Sequence, residues 1–197
     1  MQITIIRHGK TIANEKRLYC GKTDLPLLAD NGIEPSKYPK SPDLYFTSGM
    51  LRANQTLDLI YGNVKREKLP ELAEYNFGDF EMKSHAELEG RDDYQKWITD
   101  DRGNVPCPNG ESRAKFKGRV LYGFICLCIK SRAADSVFVV CHGGVIVNLM
   151  DCLFPGTKNF YEWQPPVGGG YILNRKTEET NENLFNGVYS FDFSSLR

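Results

Sequence analysis

The chain is expected to fold as an α/β protein, a three-layer α/β/α sandwich with a mostly parallel central sheet and a small helical cap insertion. Two observations predict this. Short apolar runs alternate along the 197 residues with segments of helical periodicity. The runs are also apolar nearly throughout, as strands buried on both faces by helices must be.

Each element follows in chain order. QITIIR (2–7) is the first strand and DLYFTS (43–48) the second. A helix is predicted over 49–61, with Met50, Ala53, Leu57 and Ile60 on one stripe and Ser48 placed to cap it. Residues 81–110 are charged and end in a Pro/Gly loop, which predicts a partly helical cap over one end of the sheet within a single domain spanning 1–197. In that segment His85, beside Ser84 and Glu87, reads as an exposed helix residue, and Tyr94 and Trp97 as a packing face. A second long helix is predicted over 111–130 with Phe116, Val120, Phe124 and Leu127 inward. SVFVVCH (136–142) is the most hydrophobic strand, and a helix follows Gly143 and Gly144 through VIVNLMDCLF. GGYILNR (169–175) and VYSFDF (188–193) complete the sheet, separated by a solvated turn at KTEETNEN (176–183). VYSFDF has the character of an edge strand with which a second subunit could pair as a homodimer.

Composition excludes several classes. With 25 basic and 25 acidic residues, bulk charge offers no surface for nucleic acid or membrane. The first apolar run is too short for a signal peptide, and no stretch approaches the roughly 20 apolar residues that span a bilayer. A cytoplasmic location is expected. The six cysteines, Cys20, Cys107, Cys126, Cys128, Cys141 and Cys152, lack metal-ligand spacing and read as buried free thiols, so neither a metal nor a cofactor is called for.

Any electrostatic work must then be local. Two of the three histidines, His8 and His142, end predicted strands and precede glycine, which places both at the carboxyl edge of the sheet, where open α/β folds bind ligands. Arg7 and Lys10 flank His8, and Arg52 falls in the first turn of its predicted helix, where a cation opposes the helix dipole unless an anion is nearby. The glycine pair after His142 would let backbone N–H groups approach such an anion. Arginine forks suit phosphate oxygens, and a small-molecule phosphate ester is the economical ligand.

Six stretches together, RHGKTIAN, CGKTDLPL, TSGMLRANQT, LAEYNFGDFE, PNGES and VCHGGVI, resemble in order the histidine phosphatase superfamily, on its phosphoglycerate-mutase-like branch. The resemblance implies a metal-independent phosphohydrolase with His8 as nucleophile and Arg7, Arg52 and His142 on the phosphoryl oxygens. It implies Glu74 as the proton donor and later the base for water, with Glu81 and Glu111 as alternatives. Thr11, Asn14, Cys20, Gly21 and Gly143 match positions that contact phosphate or substrate. GKTDLPL and PNGES are similar to the α-ribazole phosphatase group. A phosphoglycerate-type mutase, or a phosphate-binding module without turnover, stays as an alternative. The chain departs from the pattern at Lys10, Gly49 and Met82, and its segment 28–46 is short, so one flank of the sheet is expected to be less covered.

Overall fold

The computed structural model describes residues 1–175 and 191–196. Its strands and α-helices run β1 (Gln2–Arg7), α1 (Ile12–Glu15), β2 (Leu44–Thr47), α2 (Leu51–Tyr61), β3 (Glu67–Lys68), α3 (His85–Leu88), α4 (Asp92–Ile98), α5 (Arg113–Lys130), β4 (Ser136–Cys141), α6 (Gly143–Leu153), β5 (Gly170–Arg175) and β6 (Phe191–Leu196). The expected turn at 176–183 and the first three residues of the last expected strand lie outside the described residues.

The sheet order is β3-β2-β4-β1-β5-β6. The pairs β1–β4, β2–β4 and β2–β3 are parallel, whereas β5 is antiparallel to both β1 and β6. The reversal has a local cause. After α6 the chain climbs back to the carboxyl edge, where Arg7 N–H donates to Gly169 O (2.9 Å) and Gly168 N–H to Arg7 O (3.1 Å), so β5 must start from that edge.

One face of the sheet, with Ile3, Ile5, Val137 and Val139, packs into the larger core with α5 and α6. The stripe expected on α5, Phe116, Val120, Phe124 and Leu127, is buried there. On the other face Ile6, Phe138 and Val140 meet Ala53 and Leu57 of α2, while Met50 and Ile60 are half-buried. The flank expected to be less covered is closed over Phe138. Segment 28–46 supplies one 3-10 turn (Pro35–Lys37) instead of a helix, and aromatic side chains do the covering. Tyr38 and Tyr61 meet the Phe138 ring edge-on at 5.7 and 5.0 Å, and their hydroxyls donate to Gly168 O (3.0 Å) and Pro39 O (2.6 Å). Phe138 is fully buried as a result.

The one cap expected from the sequence, Ser48, is not made. Ser112 caps α5 by accepting from Lys115 N–H (3.2 Å). Ser48 does not cap α2; both oxygens of Asp24 accept from Leu51 N–H (2.9 Å each), and Ser48 faces His142 instead. A carboxylate at a helix N-terminus also suits the dipole. In 81–110, α3 and α4 bury Leu88, Tyr94 and Trp97 against Phe80 and Tyr19, and His85 stays exposed on α3. All six cysteines are free, but Cys20, Cys126 and Cys152 are only half-buried.

Phe138→Ala should remove the ring on which Tyr38 and Tyr61 pack and cost about 3–5 kcal/mol of stability. Urea denaturation checks this; a loss below about 1 kcal/mol would mean that the face collapses onto the gap.

Candidate active site

The site is a consequence of strand register. β1 and β4 run parallel with Ile6 beside Val140 and Arg7 beside Cys141, and His8 N–H donates to Cys141 O (3.0 Å). The two strands therefore end level, and the rings of His8 and His142 lie 5.1 Å apart, edge to face. β2 ends beside β4, with Ser48 N–H on Val140 O (3.2 Å), which delivers Ser48 and the start of α2 to the same place.

His8 is fixed in one tautomer. Nδ1 lies 2.7 Å from Gly9 O, which can only accept, so the ring proton is on Nδ1. Nε2 then keeps its lone pair, and Arg52 Nε–H donates to it (3.2 Å). Burial, reinforced by Arg52 and Arg7 against a smaller opposing effect of the Gly9 hydrogen bond, pushes the His8 imidazole down to about 3. His142, fully buried, is likewise held well below the ordinary histidine value by burial first and then by Arg52, His8 and Arg7. Its Nε2 is 2.8 Å from Ser48 Oγ, and its Nδ1 is buried without a partner.

The two arginines differ in freedom. Arg52, 1% exposed, gives Nη2 to Gly21 O (2.9 Å) and Nη1 to Thr23 O (3.0 Å), with Asp24 3.6 Å from Nη1. Arg7 gives Nη1 to Pro165 O (3.0 Å), while its Nε is buried and unpartnered. Burial lowers the Arg7 guanidinium from its usual value and Glu74 opposes this, but an arginine stays charged. Arg7 Nε and His142 Nδ1 are thus buried polar atoms at one locus that lack partners, an arrangement suited to an anion's oxygens.

The resemblance puts Glu74 first among three carboxylates, with Glu81 and Glu111 as alternatives, and the structure separates them. Glu81 is spent on the backbone of 21–23 and on Phe77 N–H. Glu111 accepts from Asn76 N–H (2.8 Å) and pairs with Arg119 (2.6 Å). Glu74 alone of the three lines the cavity. Its oxygens accept from Tyr75 N–H (2.9 Å) and Gly144 N–H (3.0 Å), so the α6 start expected to receive an anion receives this carboxylate. A Cβ on Gly144 would lie 2.5 Å from Glu74 Oε1, so a larger residue there would require the carboxylate to move.

The cavity measures about 480 Å³. Arg7, His8 and Glu74 line it, as do Asn14 and Cys20; Arg52 and His142 adjoin His8 without being part of the lining. Thr11 is buried, and its N–H and hydroxyl both meet Asn14 Oδ1 (2.9 and 3.0 Å). Gly21 packs so tightly that a Cβ would fall 1.5 Å from Tyr75 O. Gly143 packs beside Arg7 Nε and Gln164. Sequence reasoning missed the opposite wall, formed by Tyr19, Phe77, Trp97, Phe116 and Tyr161, and also Arg113, which has two buried, unpartnered guanidinium nitrogens. Those aromatic residues are dispersed from 19 to 161; the signals on offer were Phe77 inside LAEYNFGDFE, Tyr19 next to CGKTDLPL and Arg113 next to PNGES. Among the described residues no cluster of His, Cys, Asp and Glu could hold a metal ion, and no helix is long and apolar enough to cross a membrane.

Comparison with known proteins places these features. The model of the histidine phosphatase superfamily (branch 1) matches residues 3–186. The chain is 35% identical over 156 residues to the adenosylcobalamin/alpha-ribazole phosphatase of Escherichia coli K12, covering 74% of this chain and 75% of that one. It is 28% identical over 202 residues to the 2,3-bisphosphoglycerate-dependent phosphoglycerate mutase of Beijerinckia indica, covering 92% and 97%. Among solved structures, the alpha-ribazole phosphatase from Shigella flexneri superposes with a TM-score of 0.78 at 30% identity, over 90% of this chain and 92% of that one.

The neutral histidines have a consequence for acid stability. A buried histidine with a lowered pKa is neutral in the folded protein while the unfolded chain takes up a proton below the ordinary value of 6.5. Its contribution to stability is therefore lost as pH falls from about 6.5 toward the folded value of about 3 and is constant above that window. His8→Asn should make the slope of unfolding free energy against pH shallower by about 1.4 kcal/mol per unit below pH 5.5. Urea titrations between pH 7 and 5 measure it; parallel slopes would show that His8 is protonated in the folded protein.

Proposed function

Because the chain belongs to branch 1 of the histidine phosphatase superfamily, whose similar members are phosphatases and phosphoglycerate mutases, we propose that this phosphohydrolase works through a phosphohistidine on His8. The observation that carries the reading is the imidazole held between Gly9 O and Arg52, with Nδ1 carrying the proton and the Nε2 lone pair accepting from Arg52 Nε–H. A nucleophile that needs no deprotonation is ready at any pH well above 3.

In the first step Nε2 bonds to phosphorus and the ester P–O bond breaks, the leaving alkoxide taking a proton from the Glu74 carboxyl. The Nδ1–H to Gly9 O hydrogen bond accommodates the positive charge that grows on the ring. Arg52 now caps Nε2, so attack requires its N–H to pass to a phosphoryl oxygen. The cation that orients the nucleophile then takes up charge in the transition state. Arg7 Nε and, with Ser48 donating to Nε2, the Nδ1–H of His142 meet the other oxygens. Water then attacks phosphorus, Glu74 accepts its proton, and the N–P bond breaks to return neutral His8 and inorganic phosphate. Positioning and fixed charge carry such a transfer.

For substrate, the aromatic wall supports a phosphate ester with a flat apolar part, and α-ribazole phosphate, a ribose phosphate bearing a benzimidazole, fits that description. The unpartnered Arg113 nitrogens would meet acceptor atoms of such a ligand. Among the described residues, Arg7 and Arg113 are the arginines of the lining and no lysine joins them, which favours a monoester over the bisphosphorylated acids of a mutase. Six free cysteines support a reducing, cytoplasmic setting.

Wild type should hydrolyse p-nitrophenyl phosphate in EDTA, and folded His8→Ala should not. Glu74→Gln should lower kcat on an alkyl phosphate by about 10²–10⁴-fold. α-Ribazole phosphate should exceed ribose 5-phosphate in kcat/KM by at least about tenfold. Equal values would remove the aromatic substrate, and undiminished turnover by His8→Ala would remove the mechanism.

A further inference from the structure

We propose that Glu81 is a positioning residue for the reaction: it holds the 21–23 loop so that the loop's carbonyls aim the Arg52 guanidinium at His8. The inference rests on the phosphohistidine reading, and the geometry forms a continuous chain. Glu81 Oε1 accepts from Gly21 N–H (3.1 Å), Lys22 N–H (2.9 Å) and Phe77 N–H (3.1 Å). Its Oε2 accepts from Gly21 N–H (3.1 Å), Thr23 N–H (3.2 Å) and Thr23 Oγ1 (2.8 Å). One carboxylate therefore gathers three successive N–H groups of a loop distant in sequence.

The planar trans peptide turns that grip outward. N–H and C=O of one peptide point in opposite directions, so drawing Lys22 N–H onto Glu81 directs Gly21 C=O away from it. Gly21 O there accepts from Arg52 Nη2 (2.9 Å), and Thr23 O accepts from Nη1 (3.0 Å). With both Nη atoms anchored, the planar guanidinium has little freedom left, and its Nε lies 3.2 Å from His8 Nε2. Gly21 also packs closely on Tyr75 O, which further confines the loop.

Glu81 is absent from the lining of the main cavity and borders a separate outer hollow with Lys22, Asn76, Asp79 and Asn109. It would act through Arg52 and never touch substrate.

The test is a double-mutant cycle on kcat for p-nitrophenyl phosphate with wild type, Glu81→Gln, Arg52→Ala and the double variant, each with a melting temperature. Gln is isosteric but loses acceptor capacity on one side. Glu81→Gln should lower kcat by on the order of 100-fold. In the Arg52→Ala background the same change should alter kcat by no more than about twofold, because its route to the nucleophile is gone. A purely structural role would lower the melting temperature and leave kcat of the folded fraction unchanged, or would act equally in both backgrounds; either result overturns the proposal. If Glu81→Gln does not fold, Thr23→Val removes one of the same hydrogen bonds, and its smaller loss of kcat should vanish in the Arg52→Ala background; equal losses in both would overturn it. The underlying reading fails in a different way, through Arg52→Ala turning over as fast as wild type.

Discussion

The parallel register of β1 and β4 is the constraint on which the site depends. Arg7 beside Cys141 leaves His8 and His142 as the next residues of two strands that stop at the same level, so two histidines 134 positions apart become neighbours without a loop to bring them together. A one-residue slip would turn each side chain to the opposite face and separate the rings. The register is secured by burial, since Ile3, Ile5, Val137 and Val139 face one core and Ile6, Phe138 and Val140 the other.

Burial at this strand edge also sets the chemistry. His8 and His142 are almost wholly buried, which favours neutral imidazoles, and the arginines beside them strengthen that preference. Cations and neutral histidines can share a buried space because the cations are hydrogen-bonded to carbonyls: Pro165 O for Arg7, and Gly21 O and Thr23 O for Arg52. Electrostatics of this kind, fixed before substrate arrives, needs little reorganisation when charge develops.

The sheet and its long helices were legible in the sequence because fully buried strands carry no polar interruption and α5 shows its stripe at every third or fourth residue. The two strand-ending histidines were legible too, since each closes an apolar run and is followed by glycine. Contacts between distant segments were not. Nothing near Leu51 announces that Asp24 caps its helix, and nothing in 28–46 shows that a tyrosine would replace a helix over Phe138. The resemblance put Glu74 ahead of Glu81 and Glu111, but what takes up the other two, the 21–23 loop for Glu81 and Asn76 N–H with Arg119 for Glu111, showed only in the structure. The aromatic wall is assembled from segments spread over most of the chain, and its residues were indistinguishable from ordinary core.

The central claim is that His8 carries the phosphoryl group through its Nε2. Mixing a large amount of enzyme with a phosphate ester, quenching within milliseconds in alkali, and mapping the product by mass spectrometry tests it most directly. The account predicts one phosphoryl group on the peptide that contains His8, stable in alkali and lost in acid, and absent from His8→Ala. Steady turnover with no labelled enzyme at any quench time, or a label on any other residue, would contradict it.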